Sequence, residues 1–354
     1  MRTHFSLFPS ITILLRTTAL VLPLAAFVTA CDGVDDQDGG EELMLDDDLE
    51  LAAPAEAETG AAGELDGPVE DLRAVGAPPL PLVGGGFVWG SWGTTSDTLG
   101  LDMGSQSTRT CFLSGVAGNL NVGARDGFAG GRPSVAWVYD FPGVPHHNDD
   151  HYYLVAHGGA YRNQTNDLVW QNNPVNAQAT CLYTTSDRQY DFWESGDGPV
   201  KIADLNSSTV VGPRHCYLSG IEGVGGAWNS STRYARVVRR TTTDASHPTT
   251  GWYIEANLPA TANGDRARVH AQCITFPSTT SFTSNTLTAG VGATNSEVLT
   301  SGSAVKACAL TGISGALNVD DWADGAVMTF PATQTGNWTL TVKNGKSASW
   351  ECAQ

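Results

Sequence analysis

The chain has 354 residues and a formal charge of −18, from 37 Asp and Glu against 19 Lys and Arg. That length holds two or three cores of ordinary size. The excess acid is local: sixteen acidic residues and no base lie between Asp32 and Asp71, while 21 acids and 17 bases follow from Leu72 onward. The remainder is therefore nearly neutral. It has no basic stripe to neutralise a phosphate backbone, which excludes nucleic acid as a partner class.

The first thirty residues carry the pattern of an export signal. Met1-Arg2-Thr3-His4 gives a positive start, and Ala19 to Val28 is an apolar run too short to span a bilayer comfortably. Arg16 interrupts the longer apolar stretch that begins at Ile11. The run ends in Val28-Thr29-Ala30-Cys31, which resembles the lipobox of bacterial lipoproteins. The resemblance covers these residues alone. It implies cleavage before Cys31, a diacylglyceryl group on its thiol, and a lipid-anchored place in the bacterial cell envelope, on the outer surface or facing the periplasm. The alternative is an ordinary signal-peptidase site after Ala30. The cysteine count favours the lipoprotein: six of the seven cysteines fall in repeats and pair off, and lipidation accounts for the seventh.

Residues 31–81 form an acidic segment rich in Ala, Gly and Pro and without an aromatic residue. Such a composition buries too little apolar surface to offset chain entropy, so a disordered tether is expected. Its like charges extend it.

Beyond Gly84-Gly85-Gly86 the chain repeats itself. Cys111-Phe112-Leu113-Ser114-Gly115-Val116-Ala117-Gly118 returns as Cys216-Tyr217-Leu218-Ser219-Gly220-Ile221-Glu222-Gly223, and again as Cys308-Ala309-Leu310-Thr311-Gly312-Ile313-Ser314-Gly315. An alternating run follows in each copy (Val135 to Tyr139, Tyr234 to Val238, Ala326 to Phe330), then an aromatic-led run (His151 to Val155, Gly251 to Glu255, Asn337 to Thr341). Last comes a run carrying the second cysteine, at Cys181, Cys273 and Cys352. Short β-branched and aromatic runs between turn residues predict antiparallel strands, and no long helical period competes with them.

The expected fold is all-β: three diverged antiparallel repeats at 82–190, 191–280 and 281–354, after the signal at 1–30 and the tether. Order within the repeat selects Cys111–Cys181, Cys216–Cys273 and Cys308–Cys352 as disulfides, each worth roughly 4 kcal/mol at most on the chain-entropy account. Three separate domains and one pseudo-threefold body both fit the sequence. The glycines of the repeated motif are read as bends or bulges, not as a phosphate cradle, because no helix follows them.

Candidate chemistry is sparse. His146 to His151 concentrates imidazoles and carboxylates between two strands of the first repeat, and His147, Asp149 and His151 alternate as ligands of a divalent metal, zinc or calcium, would. His157 is a further candidate neighbour. Asp126-Gly127 and Asp324-Gly325, with Asp320 and Asp321, suit hairpin turns better than calcium loops. Glu194, Asp197, Glu222 and Glu255 have no motif to recommend them beyond their carboxylates. No nucleophile elbow is present, so no catalytic residue is assigned. Trp92, Trp170, Trp228 and Trp322 lie among Gly, Asn, Asp and Ser, as ring platforms of a sugar-binding surface do, whereas Trp252 and Trp338 sit at core strand positions. The favoured reading is a non-enzymatic exported binding protein with a glycan or another envelope component as ligand. Its rivals are a metal-dependent hydrolase using the His146–His151 loop and a purely structural envelope lipoprotein.

Overall fold

The computed structural model describes residues 87–94, 100–123, 134–140, 151–162, 168–170, 174–183, 187–300, 307–321, 323–330 and 337–354. All belong to one compact unit, Gly67–Gln354. The signal, Cys31 and the whole acidic segment lie outside them, as do His146 to Asp150.

The described residues form twenty strands and no helix. The first repeat supplies β1 (Phe87–Thr94), β2 (Leu101–Ser105), β3 (Thr110–Gly118), β4 (Ser134–Asp140), β5 (His151–His157), β6 (Ala160–Arg162), β7 (Leu168–Trp170) and β8 (Val175–Leu182). The second supplies β9 (Gln189–Glu194), β10 (Val200–Ala203), β11 (Arg214–Gly223), β12 (Tyr234–Arg240), β13 (Gly251–Ala256) and β14 (Arg268–Thr275). The third supplies β15 (Phe282–Thr288), β16 (Thr294–Thr300), β17 (Ala307–Ser314), β18 (Gly325–Thr329), β19 (Trp338–Lys343) and β20 (Ser347–Ala353). Strands β6 and β7 form a small hairpin, and the other eighteen build three six-stranded antiparallel sheets.

The strand orders decide how the repeats are joined. Sheet I runs β1-β8-β3-β18-β19-β16, sheet II β2-β5-β4-β11-β14-β9, and sheet III β10-β13-β12-β17-β20-β15. Half of every sheet holds the two cysteine strands of one repeat, and the other half holds the central hairpin of the repeat before it. The central hairpin of the third repeat closes onto the cysteine strands of the first, through Val327 opposite Gly115. The repeats therefore form one closed pseudo-threefold ring. Within each repeat, the cysteine half-sheet packs face to face on its own hairpin half-sheet, which lies in the next sheet.

This arrangement covers the first-cysteine strands on both sides. All of β3 is buried, as is nearly all of β11. Cys111 and Leu113 face the core between half-sheets, while Phe112 points the other way, where its ring meets Tyr217 at 4.7 Å. Tyr217, Phe112 and Ala309 occupy equivalent motif positions, and β3, β11 and β17 pack on one another around the axis of the ring. Burial on both faces explains why the motif reads as a continuous apolar and small-residue run rather than an alternating one.

The motif glycines are bulge positions. Pairing with the second-cysteine strand slips between Leu113 and Gly115, between Leu218 and Gly220, and between Leu310 and Gly312. The three expected disulfides are present, Cys111–Cys181, Cys216–Cys273 and Cys308–Cys352, with sequence separations of 70, 57 and 44. Each joins directly paired residues of neighbouring strands.

A ring whose sheets are shared between repeats should unfold as one unit. We expect a single calorimetric transition with equal calorimetric and van't Hoff enthalpies. Deleting 281–354 leaves sheets I and III each without half their strands, so the remainder should fail to give a folded monomer by circular dichroism and size-exclusion chromatography.

Candidate binding face and cavity

Repeat 2 departs from its siblings on the face of sheet II that points away from the sandwich core. Along β14, Val269, Ala271 and Cys273 enter that core, and His270 turns to the other face. There its Nε2 lies 2.7 Å from Oε1 of Glu222 on β11, and its Nδ1 lies 2.6 Å from the Tyr190 hydroxyl on β9. Glu222 is fully buried and His270 is 2 % exposed. The Trp137 ring, from the first repeat's β4, stacks on the imidazole at 4.3 Å. Phe192 approaches it at 5.7 Å, and the Arg268 guanidinium lies over the Phe192 ring.

A glycine makes this packing possible. A Cβ on Gly220 would stand 2.6 Å from Cδ1 of Trp137, so the bulge leaves a hollow that the indole covers. Tyr190 and Phe192 remain 50 % and 38 % exposed, which sets two aromatic rings at the surface of a rigid sheet. Desolvation of the Tyr190 hydroxyl, with the nearby charge of Asp191, pushes its pKa up to about 12 against the opposing pull of Arg268, so the phenol keeps its proton.

The hairpin half of sheet III carries a second cluster. Glu255 on β13 accepts from Arg236 Nε at 2.9 Å and Nη2 at 2.6 Å, and from Arg240 Nη2 at 3.0 Å. His247 folds back from the connecting loop, with Nε2 at 2.7 Å from Glu255 and Nδ1 at 2.9 Å from Asp244. Burial would raise the Glu255 pKa, but the guanidinium and imidazole bonds outweigh it and hold the carboxyl below its ordinary range. Beside this cluster opens a cavity of about 290 Å³, lined by Trp193, Asp197, Tyr234, Arg240, His247 and Glu255 among others. Its mixed charge and small apolar share suit a polar ligand.

Several residues expected from the sequence fall elsewhere. Trp228 is fully buried in the core, with its backbone N–H donating to Asn121, so it is not a ligand platform. Turn-like neighbours misplace it because the segment after the motif folds inward, with Gly225 and Gly226 donating to the backbone of Gly123 and Asn121. The side chains of Trp92 and Trp170, and Trp322 entirely, lie outside the described residues, as do His147 and Asp149. His151 pairs with Asp102 of β2 at 2.9 Å. His157 is buried at the far end of the same strand, not beside His151. Asp324 is buried and accepts from Lys346 Nζ at 2.7 Å, and Asp320 accepts from Asn119 at 2.7 Å. Among the described residues no three His, Cys, Asp or Glu side chains converge as metal ligands would.

Of the four unassigned carboxylates, Glu222, Glu255 and Asp197 belong to the face or the cavity, and Glu194 pairs with Arg266 and Arg268. Tyr190, Phe192 and His270 went unnoticed in the sequence, yet a signal existed. Where repeat 2 has Glu222, the aligned motifs have Ala117 and Ser314. A charge inside a strand motif that is otherwise apolar or small marks the copy that has diverged. Comparison with protein-family models, curated proteins and solved structures finds no match to this chain.

Two outcomes are expected. Gly220→Ala should lift Trp137 from His270, shift its fluorescence and cost about 1–3 kcal/mol, whereas Gly290→Ala, with only ordinary contact around its Cβ, should do neither. Glu255 should contribute stability above its unfolded pKa that is lost as pH falls through its lower folded value. The stability gap between the wild type and Glu255→Gln should therefore shrink from about pH 6 to about pH 3 in denaturation series.

Proposed function

We propose that this is an exported, lipid-anchored bacterial protein that binds glycans through the aromatic face of sheet II. The observation that carries the reading is the group of Tyr190, Phe192 and Trp137 around His270, on backbone held by six paired strands. Sugar rings present apolar C–H faces bordered by hydroxyls. Aromatic rings take the first, and hydrogen-bonding side chains take the second. Strand-borne rings lose little freedom on binding, so little of the interaction is spent on ordering them. The lipid anchor rests on Val28-Thr29-Ala30-Cys31 and on the pairing of the other six cysteines in disulfides. An extended acidic segment would then hold the ring away from the membrane.

A glycan array probed with the purified protein should show saturable binding. Phe192→Ala should weaken it by about tenfold or more without lowering the melting temperature appreciably, because that ring is surface-exposed. Tyr190→Ala should weaken it as much while costing some stability, because the buried His270 Nδ1 loses its partner. Binding that ignores both substitutions would refute the assignment of this face. For the anchor, Cys31→Ser should move the protein from the membrane fraction to the soluble one, and mass spectrometry of wild-type Cys31 should find the lipid.

A further inference from the structure

The Glu222–His270–Tyr190 chain goes further than a ring platform, and the inference below rests on the glycan reading just given. A carboxylate can only accept, so the contact of 2.7 Å between Glu222 and His270 Nε2 places a proton on Nε2. In the neutral form of that tautomer the ring has one lone pair left, on Nδ1, where it can accept from the Tyr190 hydroxyl 2.6 Å away. With its only proton directed inward, the phenol oxygen turns its lone pairs outward.

The fold does not require this chain. At the positions of Glu222 and His270, the first repeat has Ala117 and Gln178 and the third has Ser314 and Ser349, and both close the same bulged pairing. Burying a carboxylate is costly unless hydrogen bonds offset it, so two of three copies do without. In repeat 2 the two partners come from adjacent strands, and the stacked Trp137 fixes the imidazole plane. The cost falls where an exposed hydroxyl gains a fixed direction.

We infer that Tyr190 is the polar anchor of the sheet II face and accepts a hydrogen bond from a free hydroxyl of a neutral glycan, with His270 and Glu222 as the positioning residues that orient its lone pairs. Phe192 supplies the apolar contact beside it. A ligand whose contacted hydroxyl is O-methylated has no proton to give and meets the phenol oxygen with another oxygen. Fixed acceptor geometry thereby discriminates between sugars that differ by one methyl group, since an unpaired polar contact at a partly desolvated site is penalised.

The test uses the full-length protein and a panel of neutral hexose oligosaccharides, each paired with its O-methylated derivatives. Tyr190→Phe keeps the ring and removes only the oxygen. We expect it to weaken the best neutral glycan by about tenfold. Methylation of the contacted hydroxyl should weaken wild-type binding similarly while changing Tyr190→Phe binding little, as a coupled pair requires. Nitrogen-15 NMR of His270 should show a protonated Nε2 and a bare Nδ1. Glu222→Gln should lose that tautomer preference and weaken binding as Tyr190→Phe does; should that variant fail to fold, Tyr190→Phe and the wild-type NMR spectrum decide alone.

Neutral-glycan binding that Phe192→Ala weakens and Tyr190→Phe leaves intact would overturn the anchor while leaving the aromatic face in place. A protonated Nδ1 in the wild type would also overturn it. No response of any neutral glycan to Phe192→Ala would overturn the glycan reading itself, and the anchor with it.

Discussion

The structure depends on the double-sided burial of the three first-cysteine strands. Each must face its own sandwich core with one set of side chains and the ring axis with the other, so β3 and β11 hold almost no exposed residue. A strand in that position has no free edge either, because its second-cysteine partner lies on one side and the hairpin of the preceding repeat on the other. Repetition of that pairing around three repeats leaves only one closure, in which the last hairpin returns to the first cysteine strand. Closure also manages the exposed-edge hazard of β structure for the central strands, so that among the described strands of the three sheets the outermost one of each half-sheet is paired on one side.

Much of this architecture was legible in the sequence, and what was not has a physical reason. The repeats, the strand runs and the disulfides could all be read because they are local or ordered within one repeat. The second-cysteine strand lies beside the first, and the bonded residues pair directly. The exchange of hairpins could not be read, since Trp137 opposite Gly220 is a contact between repeats that no spacing encodes. Trp228 shows the same limit in the other direction. Its neighbours Gly225, Gly226, Asn229 and Ser230 read as surface turn, but hydrogen bonds from Gly225 and Gly226 to the backbone near Asn121 draw the segment inward and bury the indole.

The bulge glycines join the scaffold to its diversity. A side chain stands close over each of Gly115, Gly220 and Gly312: Gln178 of the same repeat over the first, and Trp137 and Arg236 of the preceding repeat's hairpin over the other two. The backbone requirement is the same three times, while the covering side chain is free to vary. In one copy the cover is the amide side chain of Gln178. A second has become aromatic and gathers His270, Glu222, Tyr190 and Phe192. The third has become charged, with Arg236 neutralised by Glu255 and the cavity opening alongside.

This division explains why the chemistry concentrates on residues of the second repeat. That repeat gives its cysteine strands to sheet II and its hairpin to sheet III, so it contributes to both diverged hollows. The polar groups there are also the costly ones. Glu222 and Glu255 are buried carboxylates, each held by side chains drawn from different strands or from a folded-back loop, as His247 is. A closed ring with three disulfides supplies enough rigidity to hold such groups within hydrogen-bond reach, and a rigid sheet is where a binding geometry is best maintained. The same ring offers no comparable polar requirement at the first and third copies of the Glu222 position, where Ala117 and Ser314 fill the space. In the second repeat the buried carboxylates Glu222 and Glu255 lie within one side chain of an exposed ring and of the cavity respectively.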